Sequence, residues 1–436
     1  MTIEEKYLSD WSGLSRGQPE VLHRPRTTDE VARIVSDCAA QGRSVTVQGG
    51  LTGLAGGAVP GRSDTVVNLE RMNAIEELDA LEGVMVVQAG VTLEQVQRAA
   101  EAAGWYFAVD LGARGSCQIG GNASTNAGGE RVLRYGTMRD NILGLEAVLP
   151  DGTVLNTMNR LVKNSAGPDL KHLFIGAEGT LGIITKLVLK LHSPPGQSTC
   201  AVVDVAELAQ VPELLKLLRQ RLGAFLTAYE FMSAEFVGLA LNLTDKPPLP
   251  AMDAPWKVLV EVSDMAGVDA GELLQACLLE LMESGRVANA LVSQSEQDRQ
   301  DFWSVRHAIP EILTHLKPTI NFDIGLPWRH MSGYIEQVSA YLHQHHPQAR
   351  HLFFGHLGDN NLHLITGPHA EGHDVVEEVI YGPLGALNGT ISAEHGIGFL
   401  KKPYLHHVRS AEQLELIRRI KGCMDPRETL NPGRIV

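Results

Sequence analysis

Three stretches of the chain concentrate its glycines, and they limit the folds available to it more than any other feature. They are VQGGLTGLAGGAVPG (47–61), DLGARGSCQIGGNASTNAGG (110–129) and FIGAEGTLGIIT (174–185). The first has neither the GxGxxG spacing that opens a Rossmann helix nor the GxxxxGK[ST] spacing of a Walker loop. A turn built from it can still direct several backbone N–H groups inward, which suits a pyrophosphate. A flexible surface loop is the alternative, but the second cluster, rich in Ser, Asn and Thr, favours a dinucleotide site.

Composition excludes several classes of function. With 436 residues the chain is long enough for two or three domains. Its net charge of -14 argues against nucleic acid or an anionic membrane surface as the main partner, because phosphate binding needs clustered Lys and Arg. No run approaches the roughly 18 apolar residues of a membrane span. The opening residues MTIEEKYLSDWSGL lack the apolar segment of a signal peptide, so we expect a cytoplasmic protein.

The cysteines are scattered and none forms a CxxC pair. The chain has five of them, Cys38, Cys117, Cys200, Cys277 and Cys423. An odd number without close spacing argues against both a disulfide framework and a thiolate metal site. We therefore expect reduced thiols.

The N-terminal part combines short strands with few helices. Strand patterns at SVTVQ, DTVVNLE and GVMVVQAGVT surround the glycine stretches, and the Pro-Asp-Gly of ILGLEAVLPDGTVLN predicts a hairpin turn. Helices are predicted at TTDEVARIVSDCAAQG and TLEQVQRAAEAAG, because each has a Thr near the cap, an acid in the first turn and a final Gly. HSPPGQS (192–198) is typical of a linker. The pattern predicts an α+β domain over residues 1–194, built from two subdomains.

The pattern after the linker is more regular. A strand, helix 208–222, strands LTAYEFM and KVLVEVSD, helix 268–284 and strand VANALVS follow the βαββαβ order of a ferredoxin-like unit. A long helix at about 296–316, strand TINFDIGLP, helix 329–346, a hairpin, helix 371–388 and GTISAEHGIG complete a second domain over 195–403. A helix at 410–424 then leads to MDPRETLNPGRIV, and we expect segment 404–436 to return to the first domain.

The hairpin FFGHLGDNNLHLITG (353–367) contains two histidines seven residues apart. If the chain folds back symmetrically between Asp359 and Asn360, His356 lies directly opposite His363. Opposed residues share a face with Cβ atoms roughly 5 Å apart, so two imidazoles can reach one ion. An ordinary hairpin pair is the alternative that the residues alone leave open.

Six ordered blocks carry a resemblance to a known family. They are RPRTTDEVARIV, VQGGLTGLAGGAV, DLGARGSCQIGGNASTNAGG, LRYGTMRDNILGLEAVLPDGTVL, NSAGPDLKHLFIGAEGTLGIITK and MDPRETLNPGRIV. In this order they resemble the vanillyl-alcohol-oxidase-type (PCMH-type) FAD-binding domain. Within it the chain is similar to the branch that oxidises D-2-hydroxy acids: D-lactate dehydrogenases, D-2-hydroxyglutarate dehydrogenases and the catalytic subunit of glycolate oxidase. The resemblance runs from about residue 20 to the C-terminus and implies an α+β fold with a ferredoxin-like-derived substrate cap.

The resemblance implies a set of FAD contacts. The first loop, to Ala58, would hold the pyrophosphate, the second cluster would run along the isoalloxazine and ribityl, and the third would close on the adenosine side. Covalent members of the superfamily carry a histidine where Leu51 and Thr52 stand here, so we expect non-covalent FAD. The implied contacts are Gly49, Gly50, Leu51, Thr52, Gly53, Leu54, Gly57, Ala58, Gly112, Ser116, Gly120, Gly121, Asn122, Thr125, Asn126, Gly128, Gly129, Gly136, Glu178, Gly179, Gly182, Ile184 and Asn431.

The motif SAEHGIG supplies the remaining catalytic groups. Its Glu394 at a predicted strand end would join His356 and His363 in a His2Glu set, typical of catalytic zinc and also of non-haem iron. We expect a divalent metal, zinc first, with iron or manganese as alternatives. In the family the ion binds the substrate's C1 carboxylate and 2-hydroxyl, and His395 would take the hydroxyl proton as general base. Arg306 would grip the substrate carboxylate, with a salt bridge on an amphipathic helix as the alternative.

Three positions depart from the pattern of 2-hydroxyglutarate dehydrogenases. These enzymes usually carry Thr, Lys and Asn around the distal carboxylate, where this sequence has Pro310, Asn321 and Ile365. Because only Asn321 offers a polar group there, a second carboxylate would be poorly paired. We therefore expect Asn321 and Ile365 to line a pocket for a monocarboxylic acid.

The expected function is FAD- and metal-dependent oxidation of a D-2-hydroxy monocarboxylic acid, such as D-lactate, to the 2-oxo acid. The alternatives are a D-2-hydroxyglutarate dehydrogenase or glycolate-oxidase-type subunit, an oxygen-using oxidase, a flavin-binding partner subunit without chemistry of its own, and a zinc hydrolase without flavin. A dehydrogenase needs an electron acceptor: a quinone, an electron-transfer flavoprotein or a cytochrome. Such an acceptor would allow peripheral attachment to the inner membrane, and homodimer formation is left open.

Overall fold

The computed structural model describes residues 3–61, 64–244, 253–369 and 371–436. The chain divides into two compact units. Unit 1 contains the chain up to Gly129 together with Tyr135–Pro194 and Glu394–Val436, and unit 2 contains Glu130–Arg134 and Pro195–Ala393. The passage into unit 2 falls at the predicted linker. The chain returns to unit 1 at Glu394, earlier than the predicted boundary at 403.

Both units contain strands and helices. The strands are β1 (Val21–His23), β2 (Val45–Gln48), β3 (Thr65–Asn68), β4 (Ile75–Asp79), β5 (Val84–Gln88), β6 (Ile142–Val148), β7 (Val154–Asn156), β8 (Ile183–Lys190), β9 (Ser198–Val205), β10 (Leu226–Ser233), β11 (Trp256–Ser263), β12 (Asn289–Val292), β13 (Ile320–Gly325), β14 (Arg350–Gly355) and β15 (Asn361–Gly367). The α-helices are α1 (Thr28–Gln41), α2 (Leu93–Ala102), α3 (Ile119–Ser124), α4 (Val132–Tyr135), α5 (Gln210–Leu222), α6 (Ala234–Leu243), α7 (Ala270–Glu283), α8 (Glu296–Arg306), α9 (Ile309–His315), α10 (Trp328–His345), α11 (His373–Tyr381) and α12 (Ala411–Met424).

The helix-capping residues act where the sequence predicts. The Thr27 side chain accepts a hydrogen bond from the Glu30 N–H at the start of α1, and Gly42 ends that helix with φ +65°. At the start of α2, Thr92 and Gln95 form a reciprocal capping box. Both predicted helices are confirmed, since local hydrogen bonds at each end satisfy backbone groups that the helix itself leaves unpaired.

Unit 1 contains two sheets. A three-stranded parallel sheet has the order β1-β3-β2, and a five-stranded antiparallel sheet has the order β4-β5-β8-β6-β7. The predicted Pro-Asp-Gly hairpin is confirmed, because β6 and β7 pair antiparallel with Val148 opposite Val154. Apolar side chains from α1, α2, α3 and both sheets share one buried cluster that includes Val35, Val87 and Leu187.

Unit 2 is built on a seven-stranded sheet of order β12-β9-β11-β10-β14-β15-β13. Its first four strands have the 4-1-3-2 order of a ferredoxin-like unit, as the βαββαβ pattern predicts. The hairpin β14-β15 and strand β13 extend this sheet at the β10 edge. One face carries α6, α8 and α9, whose Phe236, Trp303 and Ile312 are buried together with Phe354 of β14.

Three predictions about helices in unit 2 are wrong. The helix predicted at 371–388 ends at Tyr381. The sequence pattern omitted α6, whose start is capped by the Ser233 hydroxyl accepting from the Phe236 N–H. The long helix predicted at about 296–316 is two helices, with α8 ending at Arg306 and α9 beginning at Ile309. Pro310 explains the break, because it has no N–H to donate to the carbonyl of Arg306 four residues earlier and its ring would clash there.

A group of histidines lies where α10 approaches the β14-β15 hairpin. His351 is 2% exposed, its Nδ1 lies 2.8 Å from the Thr366 hydroxyl, and that hydroxyl lies 2.7 Å from Nε2 of His369. The ring of His343 lies 5.0 Å from that of His351. Burial, reinforced by the neighbouring His343, lowers the pKa of His351 to about 4. The folded protein therefore keeps this imidazole neutral.

Replacing His351 should make the free energy of unfolding depend less on pH in the acidic range. The folded-state pKa of about 4 lies below the ordinary value of 6.5, so the unfolded chain binds a proton first as pH falls. The stability is therefore complete above pH 6.5 and is lost between pH 6.5 and 4, by on the order of 2–3 kcal/mol. The thermal midpoint of His351→Gln should fall less than that of the wild type across this range. Exposed His345→Gln is the control, and equal acid slopes for His351→Gln and wild type would refute the assignment.

Candidate active site

The first glycine loop borders a cavity in unit 1. It follows β2 and turns at Leu51, which has φ +59°. A cavity of about 510 Å³ is lined by Gly49, Gly50 and Leu51 on one side, by Asn68, Ser116 and Gln118 on another, and by Tyr7, Asp10, Trp11 and neighbouring N-terminal residues. The predicted loop and the start of the second glycine cluster therefore share one cavity.

Gln118 marks this cavity as a polar ligand site. Its side chain is 7% exposed, and none of the described residues donates a hydrogen bond to its buried Oε1. Leaving a buried acceptor unpaired costs about 1–3 kcal/mol, so a ligand hydroxyl or amide at this position is favourable. The amide of Gln118, beside backbone N–H groups of the glycine loop, fits the polar chain of a dinucleotide. Sequence reasoning missed Gln118, although it stands inside the second glycine cluster.

Several implied cofactor glycines are required by close packing within unit 1. An added Cβ at Gly50 would lie 2.0 Å from the Ser116 carbonyl oxygen, and one at Gly120 would lie 2.6 Å from the Cβ of Ala89. Added Cβ atoms would also meet protein atoms at less than 3 Å at Gly129, Gly136, Gly179 and Gly182. By contrast, no atom lies within 4 Å of an added Cβ at Gly112 or Gly121. The first group shapes the loops, and the second borders open space that a cofactor can occupy.

Glu178 and Asn431 join the C-terminal segment to the rest of unit 1. The Glu178 carboxylate accepts hydrogen bonds from the backbone N–H groups of Ile397 and Gly398, at 2.7 and 2.8 Å. The Asn431 amide donates to the Glu178 carbonyl and accepts from the N–H of Val47 at the start of the glycine region. Burial raises the pKa of Glu178. These two implied FAD contacts therefore also hold the loops in place.

Ile184, Asn122 and Asn126 are likewise part of the packing of unit 1. Ile184 is buried in β8, and Asn122 of α3 is 5% exposed. Asn126 has φ +52° and accepts a hydrogen bond from the Arg139 N–H. The remaining implied contacts, Thr52, Gly53, Leu54, Gly57, Ala58, Thr125 and Gly128, lie in the same two loops.

Changing Gly50 to Ala should reduce FAD retention. The new Cβ would force the loop at Ser116 away from the glycine loop, and such overpacking costs typically 1–3 kcal/mol. We expect a several-fold lower flavin-to-protein ratio after gel filtration and a lower thermal midpoint. Gly422→Ala on α12, where no atom lies within 4 Å, should leave both unchanged or slightly raise the midpoint. Full flavin retention by the Gly50 variant would contradict the packing argument.

The two predicted metal-binding histidines come together in unit 2, although not in the predicted register. His363 of β15 is opposite Phe354 of β14, whereas the symmetric hairpin would place it opposite His356. Strand β14 ends at Gly355, and a 3-10 turn at Leu357–Asp359 follows His356. Direct opposition is therefore wrong, because the turn takes up residues that the symmetric hairpin would pair. The centres of the two imidazole rings nevertheless lie 5.3 Å apart.

Each histidine has a carboxylate next to its Nδ1. The Nδ1 of His356 is 2.7 Å from Oε1 of Glu230, and the Nδ1 of His363 is 4.0 Å from Oδ1 of Asp323, its partner on β13. A metal-binding histidine usually donates its second ring N–H to such an acceptor, which fixes the tautomer and the ring orientation. The donor set therefore fits a metal that is bound through Nε2.

Glu394 is the residue after Ala393, which lies beside β13. The N–H of Ala393 donates to the Asp323 carbonyl at 3.3 Å, so the peptide chain reaches Glu394 from the strand paired with His363. Its carboxylate accepts a hydrogen bond from the Gly129 N–H at 2.6 Å. His356 and His363 belong to unit 2, whereas Glu394 is the first residue of the C-terminal part of unit 1.

The predicted strand before Glu394 and His395 is absent from the described residues. Thr390 makes only an isolated bridge to Gly325, and the chain then turns through Gly396, with φ +80°. His395 is half-buried in this turn. After this turn, the backbone N–H groups of Ile397 and Gly398 donate to the Glu178 carboxylate rather than to a neighbouring strand.

Arg306 is buried at the end of α8. It is 2% exposed, its Nε donates to Oε2 of Glu230 at 2.8 Å, and its guanidinium lies 4.9 Å from the centre of the Phe354 ring. Burial alone would raise the pKa of Glu230, but the charges and hydrogen bonds of His356 and Arg306 lower it to about 2. The salt bridge considered as the alternative role of Arg306 is therefore present, as a buried ion pair with Glu230.

The three positions that depart from the pattern of 2-hydroxyglutarate dehydrogenases differ in exposure. Asn321 of β13 is exposed, and its cross-strand partner Ile365 is 3% exposed within the apolar cluster that contains Phe354. Pro310 is exposed on α9. The face that carries His363 therefore opens to solvent at Asn321.

Comparisons with known families and relatives cover nearly the whole chain. Residues 19–158 match the FAD binding domain family, and residues 194–435 match the C-terminal domain of FAD linked oxidases. The D-2-hydroxyglutarate dehydrogenase of Xanthomonas citri pv. viticola is 37% identical over 440 residues, 99% of this chain and 92% of its own. The mitochondrial D-2-hydroxyglutarate dehydrogenase of Bos taurus is 38% identical over 434 residues, covering 98% and 78%. The enzyme of that name from Stutzerimonas stutzeri is 34% identical, covering 98% and 93%.

The chain belongs to the FAD-linked D-2-hydroxy-acid dehydrogenase family. It is an FAD-dependent oxidoreductase acting on a CH–OH group, as the six sequence blocks imply. The expectation of a monocarboxylic substrate is less well supported than its dicarboxylate alternative, because the matched relatives carry the name of 2-hydroxyglutarate.

Solved structures confirm the fold class. The structure of p-cresol methylhydroxylase with substrate bound has a TM-score of 0.78 at 14% identity, covering 100% of this chain and 93% of that one. Alkyldihydroxyacetonephosphate synthase has a TM-score of 0.72 at 16% identity, covering 96% and 76%. The α+β, PCMH-type assignment is therefore correct. No helix in the described parts of the chain is both long and apolar enough to cross a membrane.

Proposed function

We propose that this dehydrogenase oxidises D-2-hydroxyglutarate to the corresponding 2-oxo acid with FAD and a divalent metal. The observation that carries the substrate is the near-complete match to relatives named D-2-hydroxyglutarate dehydrogenase, at 34–38% identity. The monocarboxylate expectation assumed a buried site for the distal group. The exposure of Asn321 removes that assumption, because a carboxylate that keeps its hydration needs no buried cation.

The chain's own residues divide the work of binding and proton transfer. His356, His363 and Glu394 hold the metal, for which zinc is the first candidate and iron or manganese are alternatives. Arg306 orients the substrate carboxylate, and His395 takes the proton of the 2-hydroxyl as general base. When bound, the metal would supply Lewis-acid polarisation of the hydroxyl and FAD would supply the hydride acceptor.

Flavin bleaching under anaerobic conditions tests the substrate. The holoenzyme is mixed with D-2-hydroxyglutarate, D-lactate or longer D-2-hydroxy monoacids, and the loss of flavin absorbance is followed before and after chelation. D-2-hydroxyglutarate should give the highest kcat/KM, and chelation should lower the rate at least 100-fold. Faster reduction by a monoacid would overturn the substrate. A rate of flavin reduction that is unaffected by complete removal of the metal would contradict the proposed role of the metal.

Two substitutions separate proton transfer from metal binding. His395→Ala should keep flavin and metal but reduce flavin with the substrate at least 100-fold more slowly, because the general base is lost. His363→Ala should lose the metal as well as the activity. Elemental analysis and stopped-flow absorbance measure the two properties. Near-normal reduction by the His395 variant, or full metal occupancy in the His363 variant, would reject the respective role.

The reduced flavin must pass its electrons on. We propose a quinone, an electron-transfer flavoprotein or a cytochrome as acceptor. An oxygen-using oxidase is distinguished by rapid reoxidation in air. The set of Arg306, His356 and His363 supports an enzyme over a non-catalytic flavin-binding subunit.

A further inference from the structure

We propose that Glu230 is a positioning residue that holds the metal ligand His356 and the substrate-binding Arg306 in a fixed relation to each other. This inference rests on the proposed function, which supplies the roles of those two partners. It adds a residue that belongs to neither the metal set nor the substrate contacts.

The carboxylate of Glu230 joins three separate elements of unit 2. It stands on β10, its Oε1 accepts from Nδ1 of His356 beyond the end of β14, and its Oε2 accepts from Nε of Arg306 at the end of α8. The Glu230 and Arg306 side chains are 1% and 3% exposed, and that of His356 is 8% exposed. Water therefore does not compete for either bond, and the two oxygens fix both partners at once.

Each hydrogen bond to Glu230 uses one nitrogen of its partner and so determines which nitrogens of that partner can bind a ligand. With Nδ1 of His356 donating to Glu230, the imidazole has Nε2 as the nitrogen that can bind a metal. With Nε of Arg306 engaged, its two terminal nitrogens are the pair that can grip a carboxylate as a fork. Phe354 supports this arrangement, because its ring lies 4.9 Å from the Arg306 guanidinium and 5.1 Å from the His363 ring.

Glu261 provides a matched control on the neighbouring strand. It is 1% exposed, and it accepts hydrogen bonds from Trp303 Nε1 and from Arg299, both on α8. Glu261 pairs with Ala228, two residues before Glu230, so the two carboxylates share one face of the sheet. None of the bonds shown for Glu261 involves a predicted metal ligand. Removing its charge tests the general cost of losing a buried carboxylate beside α8.

The experiment measures metal affinity directly. The FAD-loaded wild type, Glu230→Gln and Glu261→Gln are stripped of metal, and Zn²⁺ is titrated back against a chromogenic chelator. In Glu230→Gln the side-chain amide can accept only one of the two hydrogen bonds and presents an N–H₂ donor to the other partner. We expect Glu230→Gln to weaken the Zn²⁺ Kd by 10–100-fold and to raise KM, while Glu261→Gln keeps the Kd within about threefold. Thermal midpoints and flavin content are recorded for each protein.

The outcomes separate this inference from the proposed function. A wild type that binds Zn²⁺ tightly and a Glu230→Gln variant of equal affinity would overturn the role of Glu230 alone. A wild type with no metal site would overturn the metal role and this inference together. An equal loss of Zn²⁺ affinity in the Glu261 variant would show that the removal of any buried carboxylate beside α8 has this effect, and it would also overturn the specific role of Glu230. If Glu230→Gln does not fold, Glu230→Asp carries the same test, because its shorter side chain cannot reach both partners; wild-type affinity there would count against the proposal.

Discussion

A carboxylate buried on the face of a β-sheet is unfavourable unless cations and N–H donors surround it. Glu230 on β10 and Glu261 on β11 of unit 2 are in this position. Helix α8 supplies partners to both, with Arg299 and Trp303 on Glu261 and Arg306 on Glu230. These three residues lie at i, i+4 and i+7, so one side of the helix meets the sheet.

The predicted catalytic groups of unit 2 also lie beside buried carboxylates that need partners. His356 reaches Glu230 because the hairpin ends its strand at Gly355 and turns the next residue back. Asp323, which is fully buried, faces His363 and accepts from the Asn361 amide. Glu230 is hydrogen-bonded to His356, and Asp323 lies 4.0 Å from His363, so each buried carboxylate has an imidazole beside it.

In unit 1, distant parts of the chain satisfy the backbone of the loops. Asn431 bridges the N–H of Val47 and the carbonyl of Glu178, and Arg434 donates to the carbonyls of Gly57 and Val59. Loops rich in glycine have no regular ladder of their own, so their buried N–H and C=O groups need such partners. The C-terminal segment is therefore part of unit 1, although its sequence matches the C-terminal domain family.

Much of the architecture could be read from local patterns. Caps such as Thr27 and the Thr92–Gln95 box define helices through bonds within four residues, and the ferredoxin-like order follows from the succession of strands and helices. The register of the β14-β15 hairpin could not be predicted, because the same residues are compatible with a symmetric turn and with the 3-10 turn that the structure has. Helix α6 and the break between α8 and α9 were missed, although the local signals Ser233 and Pro310 mark them.

The sequence by itself determined the family, the flavin domain, the candidate ligands and the candidate base, because these depend on residue types in a fixed order. Only the tertiary structure decided what orients them. Glu230 is one acid among many in the chain, and nothing near it in sequence distinguishes it. Its role arises because β10, α8 and the hairpin meet around a buried charge that must be paired.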